Sequence, residues 1–171
     1  IEPVAAEWRD VSETIDPAAM PMTGLTNAAI DLATPDLVAF AAPVAAYAES
    51  DLFCYRDARD AALQAEQAAA WNPLLAWAEA RYGIEFTLTQ GVLPVDQPDA
   101  TITVLQDAVL AQDAWRITAL TPLVTIGGSL VAGLALLVCH STAAPADRPP
   151  GPAPVAAAAG LDDAGYVAHA G

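Results

Sequence analysis

Apolar residues recur every three or four positions through most of this chain, and this spacing predicts a series of short helices with one apolar side each. The predicted helices are residues 4–14, the segment from Thr23 to Ala33, a segment opened by Thr34 and Pro35, a polar segment from Asp57 to about Trp71, a segment opened by Asn72 and Pro73, and residues 99–112. Pro43 predicts a kink or a break in the third of these. Gly83 is a natural end for the fifth.

One segment alternates between apolar and polar residues instead. Residues 84–89, Ile-Glu-Phe-Thr-Leu-Thr, have the period of two that suits a strand with one side buried. Residues 90–99 then form a proline-containing loop. The pattern as a whole predicts a mainly α fold, α+β overall, in which strands are few.

The longest uncharged segment runs for 23 residues, from Ile117 to Cys139. A single helix of that length would be about 34 Å long, which is enough to cross a bilayer. Threonines spread along the segment, together with Pro122 and the Gly127–Gly128 pair, argue against a membrane span. The segment therefore favours a buried central helix, drawn from residues 114–140, over a membrane-spanning one.

Two architectures follow from that segment. In the favoured one, the helices that carry the larger apolar residues surround the central helix; these residues are Phe40, Tyr47, Trp71, Trp77 and Leu105. The four tryptophans, at positions 8, 71, 77 and 115, are then core anchors. The alternative is a single-pass membrane protein with an acidic soluble head and a span over residues 117–139.

Composition excludes several classes of function. The 171 residues include six arginines, no lysine and 21 acidic residues, for a net charge of −15. Without lysine there is no P-loop and no Schiff-base enzyme. The negative charge disfavours nucleic acid and anionic membrane surfaces as partners. Alanine accounts for 41 residues and favours helix, while a hydrophobic fraction of 55% is too high for a disordered acidic tail.

No candidate catalytic or metal site has the spacing that its chemistry requires. Gly127-Gly128-Ser129 resembles a nucleophile elbow, but Val131 stands where the last glycine belongs. Cys54 is expected to be structural, and the Cys139–His140 pair lacks the ligand spacing of a metal site. Paired carboxylates, such as Asp57 with Asp60, are usual on so acidic a surface. We therefore expect no enzyme activity, no bound metal and no cofactor.

The composition changes after residue 140. Prolines crowd the segment 141–155, which is typical of a linker, and residues 156–171 predict one short helix. Residues 1–140 then form the main domain. Because Ile1-Glu2-Pro3 has neither a basic nor an apolar stretch, the pattern does not predict a signal peptide at these residues.

Five strings, in order along the chain, resemble the assembly chaperones for the F(1) sector of ATP synthase, specifically those that act on its alpha subunit. The strings are AAEW (Ala5–Trp8), IDPAAMPMTGLTNAAID (Ile15–Asp31), YAESDLFCYR (Tyr47–Arg56), WNPLLAWAEARYG (Trp71–Gly83) and GSLVAGLAL (Gly128–Leu136). The resemblance covers residues 5–136. After Leu136 the sequence departs from the family.

The resemblance implies a soluble chaperone that is not an enzyme and needs no cofactor. Its partner would be the unassembled alpha subunit, kept from aggregating until a beta subunit takes its place. The family has an N-terminal β domain that is largely absent from this chain. Asp162 and Asp163 correspond to a C-terminal acidic signature of the family and are the implied partner-binding residues. The implied location is the cytoplasm in a bacterium or the mitochondrial matrix in a eukaryote.

Overall fold

The computed structural model describes residues 2–140, most of which are helical. Helices and strands in chain order are α1 (Glu2–Arg9), α2 (Pro21–Ala28), α3 (Leu37–Ala45), β1 (Tyr55–Arg56), α4 (Ala61–Tyr82), β2 (Thr89–Gln90), α5 (Asp99–Leu110), α6 (Ala114–Gly127) and α7 (Leu130–His140). A π-helical segment, Ala29–Ala33, extends α2, and 3-10 turns cover Pro17–Ala19, Ala46–Glu49 and Leu52–Cys54. The mainly α prediction is confirmed, whereas the predicted linker 141–155 and helix 156–171 lie outside the described residues.

The uncharged segment from Ile117 to Cys139 is two helices, so the prediction of one long helix is wrong. Gly128 has a φ of 70°, and its N–H closes α6 on the carbonyl of Val124. That left-handed conformation favours glycine and turns the chain before α7 begins. With 14 and 11 residues, α6 and α7 are about 21 and 17 Å long, and neither reaches across a bilayer core of about 30 Å. The proposed span 117–139 is therefore wrong as well.

Another stretch, Leu37–Cys54, is the one in the described part of the chain that has the length and hydropathy of a membrane span, with a mean hydropathy of 1.3 over 18 residues. It is not one regular helix, because α3 ends at Ala45 and two 3-10 turns follow. Val44 and Phe53 are buried in the protein core. The stretch therefore packs against the core and does not form one straight membrane-spanning helix.

The apolar sides of α3, α5, α6 and α7 pack into one core. Helix α6 packs on α3 and α7, and α3 also packs on α5. The largest fully buried aliphatic side chains there are Leu105, Ile117, Leu120 and Leu130. A second cluster joins α4 to α7 through Phe53, Cys54, Leu75, Ala78 and Val131. The central apolar element is thus the α6–α7 pair, with the predicted aromatic helices around it.

The segment predicted to be a strand is extended, but most of it pairs with side chains and not with a second strand. Only Thr89–Gln90 is strand, pairing in parallel with Tyr55–Arg56. Before it, the N–H of Thr87 donates to Gln97 Oε1 at 3.0 Å, and Gln97 Nε2 donates to the Thr87 carbonyl at 2.8 Å. The buried Gln97 therefore replaces a neighbouring strand, and residues 84–88 are not a β-strand.

Aspartate side chains cap the starts of α3 and α4, and other helix ends also differ from the prediction. Asp36, and not Thr34, caps α3 by accepting the N–H of Ala39 at 3.0 Å. Asp60 caps α4 through the N–H groups of Ala62 and Leu63. Helix α1 ends at Arg9 instead of residue 14, and α2 begins at Pro21.

Helix α4 runs without interruption through Asn72 and Pro73, where two helices are predicted. Both halves of α4 bury side chains against the same neighbours, because Trp71, Leu75 and Ala78 all pack in the cluster with Phe53. That shared contact keeps the helix continuous across Pro73. Gly83 ends α4 with a φ of 67°, as the sequence predicts. Pro43 likewise lies inside α3, which ends two residues later.

Candidate functional site

The carboxylate of Asp51 joins the 3-10 turn at residues 52–54 to the start of α7. Asp51 is fully buried and accepts the N–H of Phe53 at 2.9 Å, the hydroxyl of Ser129 at 3.0 Å and the N–H of Val131 at 2.9 Å. Burial raises the pKa of this carboxyl above its ordinary value, and the hydrogen bonds that it accepts oppose that rise. Asp51 therefore caps two elements at once.

Ser129, the residue of the elbow-like motif, belongs to this cap. Its hydroxyl donates to Asp51 and accepts the N–H of Ala132 at 3.1 Å, and its side chain is fully buried. A nucleophile needs an accessible oxygen and a base beside it. The environment of Ser129 is that of a helix cap.

Cys54 is the last residue of the same 3-10 turn and is buried. Burial raises the pKa of its thiol to about 12, and the nearby Asp51 carboxylate adds to the rise while Arg56 opposes it. The thiol is therefore protonated at neutral pH and packs as a small apolar group. This agrees with the structural role expected for Cys54.

The Asp57–Asp60 pair organises the loop before α4. One oxygen of Asp57 accepts the N–H groups of Arg59 and Asp60, at 2.7 and 2.6 Å. These hydrogen bonds lower the pKa of Asp57. The two carboxylates therefore hold loop and helix backbone and do not face each other across a cleft. Among the described residues, no three His, Cys, Asp or Glu side chains are grouped so as to hold a metal ion.

The outer side of α6 is apolar and exposed along its length. Trp115, Ala119, Leu123 and Ile126 follow each other at spacings of four, four and three, so they share one side of the helix. Trp115 is 56% exposed and Ile126 is 87% exposed. We call these four residues the α6 face. The opposite side of α6 packs into the core through Ile117, Leu120 and Val124.

The exposure of Trp115 corrects one sequence prediction. Trp71 and Trp77 pack against the core, as expected. Trp8 and Trp115 are exposed and are not core anchors. No charged residue lies between Ile117 and Gly127, and the large side chains Leu123 and Ile126 are exposed on the outer side of α6. The absence of charge from all sides of the helix is the signal in the sequence that could have identified the α6 face.

A cleft of about 460 Å³ lies next to the second cluster. It is lined by the segment of residues 52–59, by α4 and by the loop after β2. Its lining includes Leu52, Tyr55, Arg56, Arg59, Trp71 and Val92. Trp71 stacks on Phe53 with ring centroids 5.2 Å apart, and the guanidinium of Arg56 lies 5.1 Å from the centre of the Trp71 ring. We call this feature the Arg56 cleft. Motif spacing gave no sign of it, because its residues come from three separate segments.

The partner-binding residues implied by resemblance, Asp162 and Asp163, lie outside the described residues. The surface features that the structure does describe are the apolar α6 face and the Arg56 cleft, which contains two arginines.

Comparison with known proteins gives consistent matches. Residues 2–79 match the family model described as ATP12 chaperone protein. A crystal structure of Atp12 from Paracoccus denitrificans is similar, with 39% sequence identity and a TM-score of 0.75. An Asp-to-Lys variant of that protein matches with the same identity and TM-score.

The Atu1473 protein from Agrobacterium tumefaciens is also similar, with 32% identity and a TM-score of 0.68. The alignment with Paracoccus Atp12 covers 81% of this chain and 59% of that one. With the Agrobacterium protein the shares are 75% and 48%. The chain thus spans about three fifths and about half of these two relatives.

Proposed function

Because the chain belongs to the ATP12 family of F(1) assembly chaperones, we propose that it binds the unassembled alpha subunit of ATP synthase and prevents that subunit from aggregating. The family match and the structural neighbours support a chaperone role. The alpha subunit as the client comes from the resemblance of the five strings described above. The cytoplasm of a bacterium, or the mitochondrial matrix, is the compartment that we propose.

The observation that carries the proposal is the exposed α6 face. An unassembled subunit exposes apolar surface that is buried in the finished complex. Subunits with such exposed surface associate with each other and aggregate. A protein that covers it needs an apolar surface of its own that remains soluble. The α6 face offers Trp115, Leu123 and Ile126 to a partner, and the −15 net charge keeps the rest of the molecule soluble.

Holding the client needs no nucleotide in this proposal. The chain has no lysine with which a P-loop could bind phosphate. Release of the alpha subunit would then follow from competition, because a beta subunit that binds the same apolar surface more tightly displaces the chaperone. The roles of Asp162 and Asp163 in this contact remain part of the proposal.

Light scattering by purified alpha subunit, diluted from denaturant with and without this protein, tests the proposal. We expect equimolar protein to suppress scattering at micromolar concentration. The double variant W115Q/I126Q should lose most of that effect, because burying one large apolar side chain contributes about 1.5–3 kcal/mol. Ala69→Gln, on the exposed side of α4, is the matched control. Unchanged scattering with the wild-type protein would contradict the proposal.

A further inference from the structure

The Arg56 cleft holds an unusual share of the cationic side chains in this protein. The chain has six arginines against 21 acidic residues, and two of the six, Arg56 and Arg59, line this one cleft. Asp57 is the only acidic residue in the lining, and one of its oxygens is occupied by backbone N–H groups. The cleft is therefore locally cationic on a molecule whose net charge is −15.

Arg56 is fixed in place and still has donors to offer. Nη1 donates to the carbonyls of Phe53 and Tyr55, and Nη2 donates to Asn72 Oδ1 at 2.7 Å. A guanidinium has five N–H donors, so these bonds leave two without a partner among the described residues, the Nε–H and one other. The guanidinium also lies against the Trp71 ring. Because these contacts fix the guanidinium in position, its two remaining N–H groups can donate to an acceptor without a further loss of side-chain freedom.

Large exposed apolar side chains line the cleft or follow its lining residues in the sequence. Val92 is 93% exposed and Leu93 is 77% exposed, on the loop directly after β2. Leu52 is also exposed and lines the cleft, as does Tyr55. A ligand that fits this environment combines a carboxylate with flanking apolar side chains.

We propose that the Arg56 cleft binds an extended segment of the partner subunit in which a carboxylate side chain lies between large apolar residues. The carboxylate accepts from Arg56 and is attracted by Arg59, while its neighbours pack on Leu52, Tyr55 and Val92. Elsewhere the acidic surface of the protein repels such a segment, so the charge of the cleft fixes where it docks. This inference rests on the proposed function for its source of the segment, and it adds a second contact surface that shares no residue with the α6 face.

A pair of fluorescein-labelled peptides tests the chemistry of the cleft on the full chain. One peptide is Ser-Leu-Val-Asp-Phe-Leu-Ser, and the other has Asn in place of Asp. By fluorescence anisotropy we expect the Asp peptide to bind at least about 10-fold more tightly, and its binding to weaken as salt rises. Equal affinity of the two peptides, or no binding of the Asp peptide at about 1 mM, would overturn the proposal.

Variants locate the binding. Arg59→Gln should weaken the Asp peptide about 3-fold or more, and Val92→Gln about 5-fold or more, since both residues are exposed and their substitution leaves the fold intact. Arg56→Lys keeps the charge but loses the planar guanidinium, and it should remove the preference for Asp over Asn. Ala69→Gln is again the control. Normal binding by both Arg59→Gln and Val92→Gln would place the peptide elsewhere and overturn the assignment.

The outcome is separable from that of the alpha-subunit experiment. Suppression of alpha-subunit aggregation by wild-type protein, combined with equal binding of the two peptides, would leave the chaperone proposal standing and overturn the cleft. Selective Asp-peptide binding without any effect on alpha-subunit aggregation would support the cleft chemistry and overturn the alpha subunit as its source.

Discussion

At the scale of single residues, the carboxylate of Asp51 joins two segments that are far apart in the sequence. It lies 78 positions from Ser129, which directly precedes α7, and 80 positions from Val131 in the first turn of α7, and it binds both. The N–H of the neighbouring Leu52 also donates to the carbonyl of Gly128, at 2.9 Å. These contacts fasten the 3-10 turn to the point where the chain reverses between α6 and α7.

Substitution of Asp51 should therefore destabilise the whole fold. Asp51→Asn keeps one acceptor oxygen of two and leaves at least one buried donor unpaired, so we expect a loss of about 1–3 kcal/mol in the free energy of unfolding. Asp51→Ala should lose more than Asp51→Asn, and Ser129→Ala about 1 kcal/mol. Urea unfolding followed by circular dichroism measures all three. An Asp51→Asn variant as stable as the wild type would show that the cap contributes little.

The sequence shows what Asp51 is but not what it binds. Local spacing identifies a helix cap when cap and helix are neighbours, as with Asp60 and α4. Asp51 caps a helix some 80 positions away, and Gln97 satisfies the backbone of Thr87 ten positions before it. Such contacts depend on how the elements are arranged in space, and a period of apolar residues carries no information about them.

At the scale of elements, α6 and α7 pack closely at Gly133. A β-carbon placed there would lie 2.6 Å from Leu120 Cδ1 and 2.7 Å from Val124 Cγ2. The two helices follow each other across one sharp turn, and the missing side chain lets them approach. The small residues of the Gly128–Leu136 string therefore have a packing role.

Two glycine-to-alanine substitutions test this contact, one at Gly133 within it and one at Gly24 as the control. Gly133→Ala should cost about 1–3 kcal/mol, because Leu120 and Val124 must shift in a filled core. Gly24→Ala, in α2, meets nothing within 4 Å and should gain about 0.5–1 kcal/mol from helix propensity. Thermal unfolding of the two variants shows whether each one is less or more stable than the wild type. A stabilised Gly133→Ala variant would mean that α6 and α7 pack less closely than described.

Helix α1 is tied to α2 through Glu7. Its carboxylate accepts the N–H groups of Met22 and Thr23 and the Thr23 hydroxyl, each at 2.7 Å. Partial burial by itself would raise the pKa of Glu7, but these hydrogen bonds outweigh it and the pKa is lowered from 4.5. Because the ionised form is favoured in the folded protein, its stabilisation is present at neutral pH.

A pH series of melting temperatures tests this tie. At about pH 7 the wild type should have a higher melting temperature than Glu7→Gln. This difference in melting temperature should shrink as the pH falls below 4.5 and through the lowered pKa of Glu7. Below that pKa both side chains are neutral. Glu66→Gln, on the exposed surface of α4, controls for the loss of one negative charge. A difference that does not change with pH would contradict the role assigned to the ionised carboxylate.

The elements themselves were largely predictable from apolar spacing, and the errors have identifiable causes. Pro73 predicts a break in α4, but packing against Phe53 holds the helix together across it. The uncharged run from Ile117 to Cys139 predicts one helix, but Gly128 reverses the chain because Asp51 binds the next turn. In both cases contacts between distant segments decide what local propensity leaves open.

At the scale of the whole molecule, an exposed helix face without charge belongs to a strongly acidic protein. Residues 1–99 hold 16 of the 21 acidic residues, whereas α6 has no charged residue after Arg116. A strongly acidic protein can expose an apolar face without self-association, because like charges keep its copies apart. The combination of net negative charge and an exposed apolar face suits a molecule that holds another apolar surface in solution, and the α6 face is therefore central to the proposed function.

Carbene footprinting of the protein with and without purified alpha subunit tests that central claim most directly. The reagent labels exposed side chains, and Trp115, Leu123 and Ile126 are all exposed in the free protein. The account predicts that labelling of these three residues falls several-fold in the complex, whereas labelling of Ala69 on α4 stays unchanged. A complex in which the α6 residues are labelled as strongly as in the free protein would contradict it.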